Sequence, residues 1–295
     1  MVERRGQLVV HSFLQEEDGV VRGCGLQQVS VDWDPVCHAM QQTDQTKKEI
    51  AERWVAATSA NHRLFNQSKF RLAGAVTGLA GGGVSLQVGL TDYRDHVGSN
   101  LVSRGLAALP TESADTTVSP PDMAQCIGVG AWLLTTDTQL VLVETAAWKG
   151  EGACMVDRPG GHAEPDEAGE LSGAGVALEL FSSIGRELRD ELNIPLELQE
   201  EPELLGAVYN LQHGGRVTLD FLVKVRLSSQ EVTARYTAGG QAEADESTGL
   251  VLVAAERVLV GQVEPALAAR FTPHTTGSIT LCQRRLTSAD ISIEN

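Results

Sequence analysis

Long apolar runs are missing from this chain of 295 residues. No stretch approaches the roughly 18 uninterrupted apolar residues that a membrane-crossing helix needs. The opening MVERRGQLVVHSFLQEEDG has a basic start, but polar residues break its apolar part, so it does not read as a secretory signal. Aromatic residues are scarce, at 4%. The five cysteines (Cys24, Cys37, Cys126, Cys154, Cys282) never form a C-x-x-C pair. That argues against a zinc ribbon or disulfide scaffold and for a reducing compartment, and the missing signals leave a cytoplasmic or nuclear address as the expectation. No Walker motif and no G-x-S-x-G occurs, which removes P-loop and serine-hydrolase chemistry.

Positive charge is also short. Lys and Arg number 23 against 39 Asp and Glu, a net charge of −16. Such a surface repels nucleic acid. The imbalance is concentrated in the second half, where residues 151–295 carry 11 basic and 23 acidic side chains. Solubility alone accounts for an acidic surface; the alternative is that some of these carboxylates bind a cation.

Hydrophobic spacing predicts a helix over 43–60, capped by Thr43 or Asp44, with Ile50, Trp54, Val55 and Ala57 on one face. Residues 69–95 read as two strands joined at Gly81–Gly83, and the Pro-rich 107–123 as a loop or connection. Residues 126–146 form a hairpin turning at Thr135–Thr138. After a loop over 157–175, Val176, Leu180, Ile184, Leu188 and Leu192 mark a helix near 176–192. A second hairpin turns at His213–Gly215, a capping box at Ser228–Glu231 opens a short helix, and a strand near 249–254 precedes a last helix near 276–286. This order predicts an α/β domain with a mixed sheet and helices on both faces. Residues 1–115 are expected to be an N-terminal subdomain contributing to the substrate pocket, and 116–295 the main domain.

Chemistry concentrates between 157 and 194. Pro159, Gly160 and Gly161 follow a strand hairpin, where paired glycines let backbone approach a ligand closely. Glu164 and Glu167 come next. The helix then carries R-E-L-R-D-E-L-N-I over 186–194. Residues three and four apart share a helix face, so Glu187, Asp190 and Glu191 project together while Leu188 and Leu192 point to the core. Clustered carboxylates repel one another near a helix end that favours cations. A divalent cation with a preference for oxygen ligands removes that conflict.

These residues resemble the Nudix hydrolases, whose pattern is G-x5-E-x7-R-E-U-x-E-E-x-G-U, with U aliphatic. Gly161 and Glu167 match its first part; Arg186, Glu187, Leu188, Glu191 and Ile194 match its second. Three departures stand out. Eighteen residues separate Glu167 from Arg186, an 11-residue insertion. Asp190 replaces the first paired glutamate. Asn193 replaces the closing glycine, a tolerable change at a left-handed helix terminus. GGHAEP, ELFSS, LTDYRD, LFN and DESTG further resemble the animal Nudix subgroup acting on UDP-glucose and UDP-galactose.

The resemblance implies an α/β/α Nudix sandwich with a mixed sheet, preceded by an α+β subdomain. It implies Mg²⁺-dependent cleavage of UDP-sugars to UMP and sugar 1-phosphate, with Mn²⁺ as the alternative ion. It assigns the metal to Glu187 and Glu191, and substrate contacts to Phe65, Tyr93, Asp157, His162 and Glu164. Glu187, Glu191 and Asp190 are the candidate catalytic residues. The base is open among Asp190, Glu164, Glu167 and Glu246. Where the subgroup has a basic residue before the motif this chain has Thr145, with Lys149 nearby to supply the charge. Arg186 is expected to pair with a glutamate of the motif, and His274 is a further substrate candidate. Neither nucleic acid nor a membrane is an expected partner, and the sequence assigns no oligomeric state. Two rivals stand beside this reading: a Nudix hydrolase of another nucleoside diphosphate derivative, and a non-catalytic UDP-sugar sensor with a decayed motif.

Overall fold

The strand Ile127–Leu134 is buried on both faces and shows how the chain is layered. Its residues Ile127, Val129, Ala131 and Leu133 enter one apolar core, while Trp132 and Leu134 enter another on the opposite face. The computed structural model describes residues 1–79, 82–102, 110–149, 152–287 and 290. Gly81 of the expected 81–83 turn, and residues 107–109 of the expected loop, lie outside the described residues.

The main sheet runs in the order Val2–Arg5, Leu8–Ser12, Glu203–Asn210, Arg216–Lys224, Ile127–Leu134, Gln139–Thr145, Val156–Asp157, and Ser247–Ala254 also pairs with Gln139–Thr145. It is mixed: Ile127–Leu134 and Arg216–Lys224 run parallel, whereas both hairpins are antiparallel. The helix α3 (Gly173–Leu192) in our numbering follows α1 (Asp44–Ala60) and α2 (Tyr93–Gly98). Val176, Leu180, Ile184, Leu188 and Leu192 of α3 are all buried in the first core. The helix Pro273–Arg285 covers the other face through Leu281 and Cys282. Helices on both faces of a mixed sheet are the expected α/β architecture. Among the described residues, no helix is long and apolar enough to cross a membrane.

A second sheet is ordered Val29–Trp33, Val84–Asp92, Ser68–Val76, Thr116–Val118, Thr111–Glu112. Phe70, Leu72, Leu86 and Val88 on it join the same core as α3. The segment 1–115 thus shares a core with the rest of the chain, and its strand Leu8–Ser12 pairs with Glu203–Asn210 in the main sheet.

Several elements differ from the sequence expectation. The segment 107–123, read as loop, carries two short strands, because Thr116–Val118 is β-branched and pairs with Gly74–Val76. In α1 only Ile50 is buried, and Val55 is 64% exposed. Ile50 and Trp54 are four apart and share a face, whereas Val55 lies a further 100° or so around the helix and meets solvent. The last helix begins at Pro273 rather than 276, since proline is favoured in a first turn and Thr272 caps it.

Candidate active site

Helix α3 opens at Ser172, whose hydroxyl accepts the Gly175 N–H at 3.2 Å. It closes at Asn193, left-handed at φ 59° and ψ 37°, where the motif has glycine. One turn apart on this helix, Glu187 and Glu191 point at the glycine loop. The His162 N–H donates to Glu187 Oε1 at 3.2 Å, and the Gly160 N–H donates to Glu191 Oε2 at 2.9 Å. The loop can lie this close only without side chains. A Cβ on Gly161 would stand 2.3 Å from Glu187 Oε1, and one on Gly160 would stand 2.1 Å from the Val129 carbonyl oxygen.

Two further glutamates come from the loop before Ser247–Ala254. Oxygens of Glu191, Glu243 and Glu246 lie within 4.8 Å of one another. Burial, then the charges of Glu191, Glu243 and Glu246, hold the Glu187 carboxyl well above the usual carboxylate range. Burial pushes Glu191 up to about 8, against the pull of Lys149 and the Gly160 N–H. Glu243 is raised by burial and by Glu246 and Asp190. Lys149 donates to Glu246 Oε2 at 2.6 Å. Burial alone would lower the Lys149 ammonium, but Glu191 and Glu246 outweigh it and raise it. Four carboxylates facing one ammonium leave a surplus of negative charge on an all-oxygen donor set. That donor set fits a hard divalent cation such as Mg²⁺, and Glu187 with Glu191, Glu243 and Glu246 are the residues that would hold it.

Beside this cluster is a cavity of about 630 Å³, within the range of small-molecule sites. Phe65, Tyr93, Asp157, His162, Glu164 and Glu187 all line it, as do Lys149, Glu246 and His274. Glu191 is buried behind Gly160. Phe65 is 69% exposed, so it stands at the rim. Tyr93 begins α2 and meets Trp54 edge-on at 6.3 Å. Asp157 is held by the Thr275 hydroxyl at 2.5 Å. Glu164 is gripped by Lys69 and Gln67 of the 67–69 segment.

Not every named residue gathers here. Asp190 turns to its neighbour Arg189, which donates to both its oxygens at 2.8 and 2.7 Å. Glu167, a candidate base, is exposed. Arg186 pairs with Glu179 rather than with a glutamate of the motif. The extra residues wind into α3, and Glu179 lies two turns before Arg186 on the same face. Glu179 also accepts the Glu164 N–H at 3.2 Å and so ties down the loop.

Sequence reasoning missed Glu179, Glu243 and Lys69, and also the pairing of buried Arg158 with Asp220. The one signal for Glu243 was its spacing of three from Glu246 in an acidic loop between glycines and a strand. Lys69 and Glu164 are 95 residues apart, and no local pattern joins them.

No family model matches the chain. Curated relatives do. Uridine diphosphate glucose pyrophosphatase NUDT22 of Mus musculus is 35% identical over 272 residues, covering 89% of this chain and 87% of that protein. Its Homo sapiens counterpart is 35% identical over 246 residues, 80% of each chain. Nudix hydrolase 9 of Arabidopsis thaliana is 28% identical over 235 residues, 73% of this chain and 75% of that one. A solved Nudix hydrolase from M. smegmatis, RenU, aligns with TM-score 0.34 and 15% identity over 58% of this chain and 90% of that one. With 35% identity to NUDT22 along most of both chains, this protein belongs to the Nudix hydrolase family.

Proposed function

We propose that this protein hydrolyses the pyrophosphate of UDP-sugars, UDP-glucose and UDP-galactose, to UMP and sugar 1-phosphate. The observation that carries the reading is the convergence of Glu187, Glu191, Glu243 and Glu246 beside a cavity that also presents Phe65 and Tyr93. The names of the curated relatives support uridine diphosphate glucose as substrate.

In this reading Glu187 and Glu191 would hold Mg²⁺, with Glu243 and Glu246 completing the set. A divalent cation bound there supplies charge neutralisation at the diphosphate and makes a water more acidic. A carboxylate not committed to the cation takes the proton of the attacking water. Of the four candidates for that base, Asp190 is engaged by Arg189, Glu164 by Lys69 and Glu246 by Lys149, and Glu167 is exposed. Lys149 faces the phosphates from within the acidic cluster. Phe65 and Tyr93 flank the uracil ring, while Asp157, His162 and Glu164 meet the sugar and phosphate oxygens. Residues 1–115 act as a subdomain that supplies the base side of the pocket, supported by Phe65, Gln67, Lys69 and Tyr93 on its wall. Neither nucleic acid nor a membrane is a partner. Five unpaired cysteines support a cytoplasmic or nuclear address.

The test is release of UMP from UDP-glucose, across a panel of nucleoside diphosphate derivatives, with Mg²⁺ and with chelator. UMP release that chelator abolishes is expected. Binding of UDP-glucose without any UMP would establish the sensor instead, and preference for another nucleotide would establish the other hydrolase.

A further inference from the structure

The segment 148–149 is fastened to 245–246 by two adjacent contacts. The Trp148 indole Nε1 donates to the Asp245 carbonyl at 2.9 Å, and Lys149 donates to Glu246 at 2.6 Å. From the N-terminal part of the chain, Arg63 reaches both members of the first contact. Its guanidinium carbon lies 4.4 Å from the Trp148 ring centroid, and its Nη2 lies 3.0 Å from Asp245 Oδ2. All three residues line the cavity. We infer that Arg63 is a positioning residue which, through Trp148 and Asp245, holds the acidic loop so that Glu243 and Glu246 meet Glu187 and Glu191.

Stability does not explain this arrangement. Arg63 and Asp245 are 57% and 62% exposed, and such pairs add little to folding. Their effect falls on geometry. Asp245 lies between Glu243 and Glu246, in a stretch where like charges push the chain outward. The loop is otherwise tied by the Glu243 N–H to the Asp190 carbonyl and the Ala146 N–H to the Glu246 carbonyl, both at 2.9 Å. A planar cation laid over an indole while paired to a carboxylate fixes two surfaces at once, which a lysine does less well. The inference rests on the metal-site reading above.

The experiment titrates Mn²⁺ into the nucleotide-free, chelator-stripped full chain by calorimetry. Arg63→Ala should weaken Mn²⁺ binding about fivefold, the scale of one surface ion pair plus one cation–π contact. Arg63→Lys and Trp148→Phe should each fall between, because each keeps part of the clamp. The melting temperature in chelator should not move. In UDP-glucose hydrolysis the Mg²⁺ needed for half-maximal rate should rise by the same factor, with KM at saturating Mg²⁺ unchanged. Mn²⁺ affinity unchanged in Arg63→Ala overturns the inference, as does a KM rise at saturating Mg²⁺ without any loss of metal affinity, which would make Arg63 a substrate contact. A wild-type chain that takes up no Mn²⁺ refutes the metal reading itself, and the inference with it.

Discussion

Gly160 gives its backbone N–H to Glu191 Oε2 at 2.9 Å, from a loop too close to Val129 for any Cβ. The loop thereby fixes one oxygen of a buried carboxylate that also feels the charges of Lys149, Glu246 and Glu243. A glutamate placed this way is costly to ionise without a cation and well aimed once one is present.

Glu191→Gln separates these two properties. The amide keeps an acceptor for the Gly160 N–H and removes the charge. Melting in chelator at pH 9 should occur at a higher temperature than in the wild type, because one fewer buried carboxylate has to ionise. Mg²⁺-dependent UMP release should fall at least about 100-fold, the scale of removing one electrostatic stabiliser. Glu187→Ala should abolish turnover while UDP-glucose binding, followed by calorimetry, is partly kept.

The paired glycines should fail in different ways. A Cβ on Gly160 meets backbone, the Val129 carbonyl, so Gly160→Ala should cost about 1–3 kcal/mol in thermal or urea unfolding. The three atoms nearest a Cβ on Gly161 all belong to the end of the Glu187 side chain, which can swing aside. Gly161→Ala should therefore melt near the wild-type temperature and yet bind Mn²⁺ about 10-fold to 100-fold more weakly, as when a ligand's support is disturbed. Equal metal affinity in Gly161→Ala and wild type would remove Glu187 from the metal site.

Protonation gives an independent handle. Burial raises Glu191 from its ordinary 4.5 to about 8. The folded carboxyl holds its proton more tightly than the unfolded one, so its contribution to stability is full below about pH 4.5 and is lost as pH rises to about 8. Glu187 and Glu243 shift in the same direction. Protons and metal compete for these oxygens. The rise in melting temperature caused by Mg²⁺, relative to chelator, should therefore grow between pH 6 and 8 (on the order of that titration range). A pH-independent rise would place the ion elsewhere.

How far the site was legible follows from how its residues are connected. Helix α3 was readable because five apolar residues at helical spacing record a single buried face, and Glu187 and Glu191 follow from the same period. The glycine pair was readable because close approach to the Val129 carbonyl at Gly160 and to the Glu187 carboxylate at Gly161 favours residues without a side chain. Glu179 was hidden, since its partner Arg186 had been assigned to the motif, and only the winding of the inserted residues into α3 brings the two together. Glu243 and Lys69 were hidden for another reason: the acidic loop has no period, and Lys69 meets Glu164 only once the second sheet packs against the main core. The two short strands at 111–118 were lost among polar and proline residues that signal loop when a strand is too short to alternate.

Phe65 tests the substrate side without touching the fold. It is 69% exposed at the cavity rim, where an apolar ring left in water has little structural use. Replacing it with alanine should leave the melting temperature unchanged, as for surface substitutions generally. Stacking on a base contributes about 1–3 kcal/mol, so KM for UDP-glucose should rise about 10-fold with kcat nearly kept. Tyr93→Ala should differ, because Tyr93 also packs edge-on against Trp54 and opens α2. Its loss should lower the melting temperature as well as raise KM. If Phe65→Ala changes neither KM nor the preference for uridine over other nucleotides, the base lies against a different wall of the cavity.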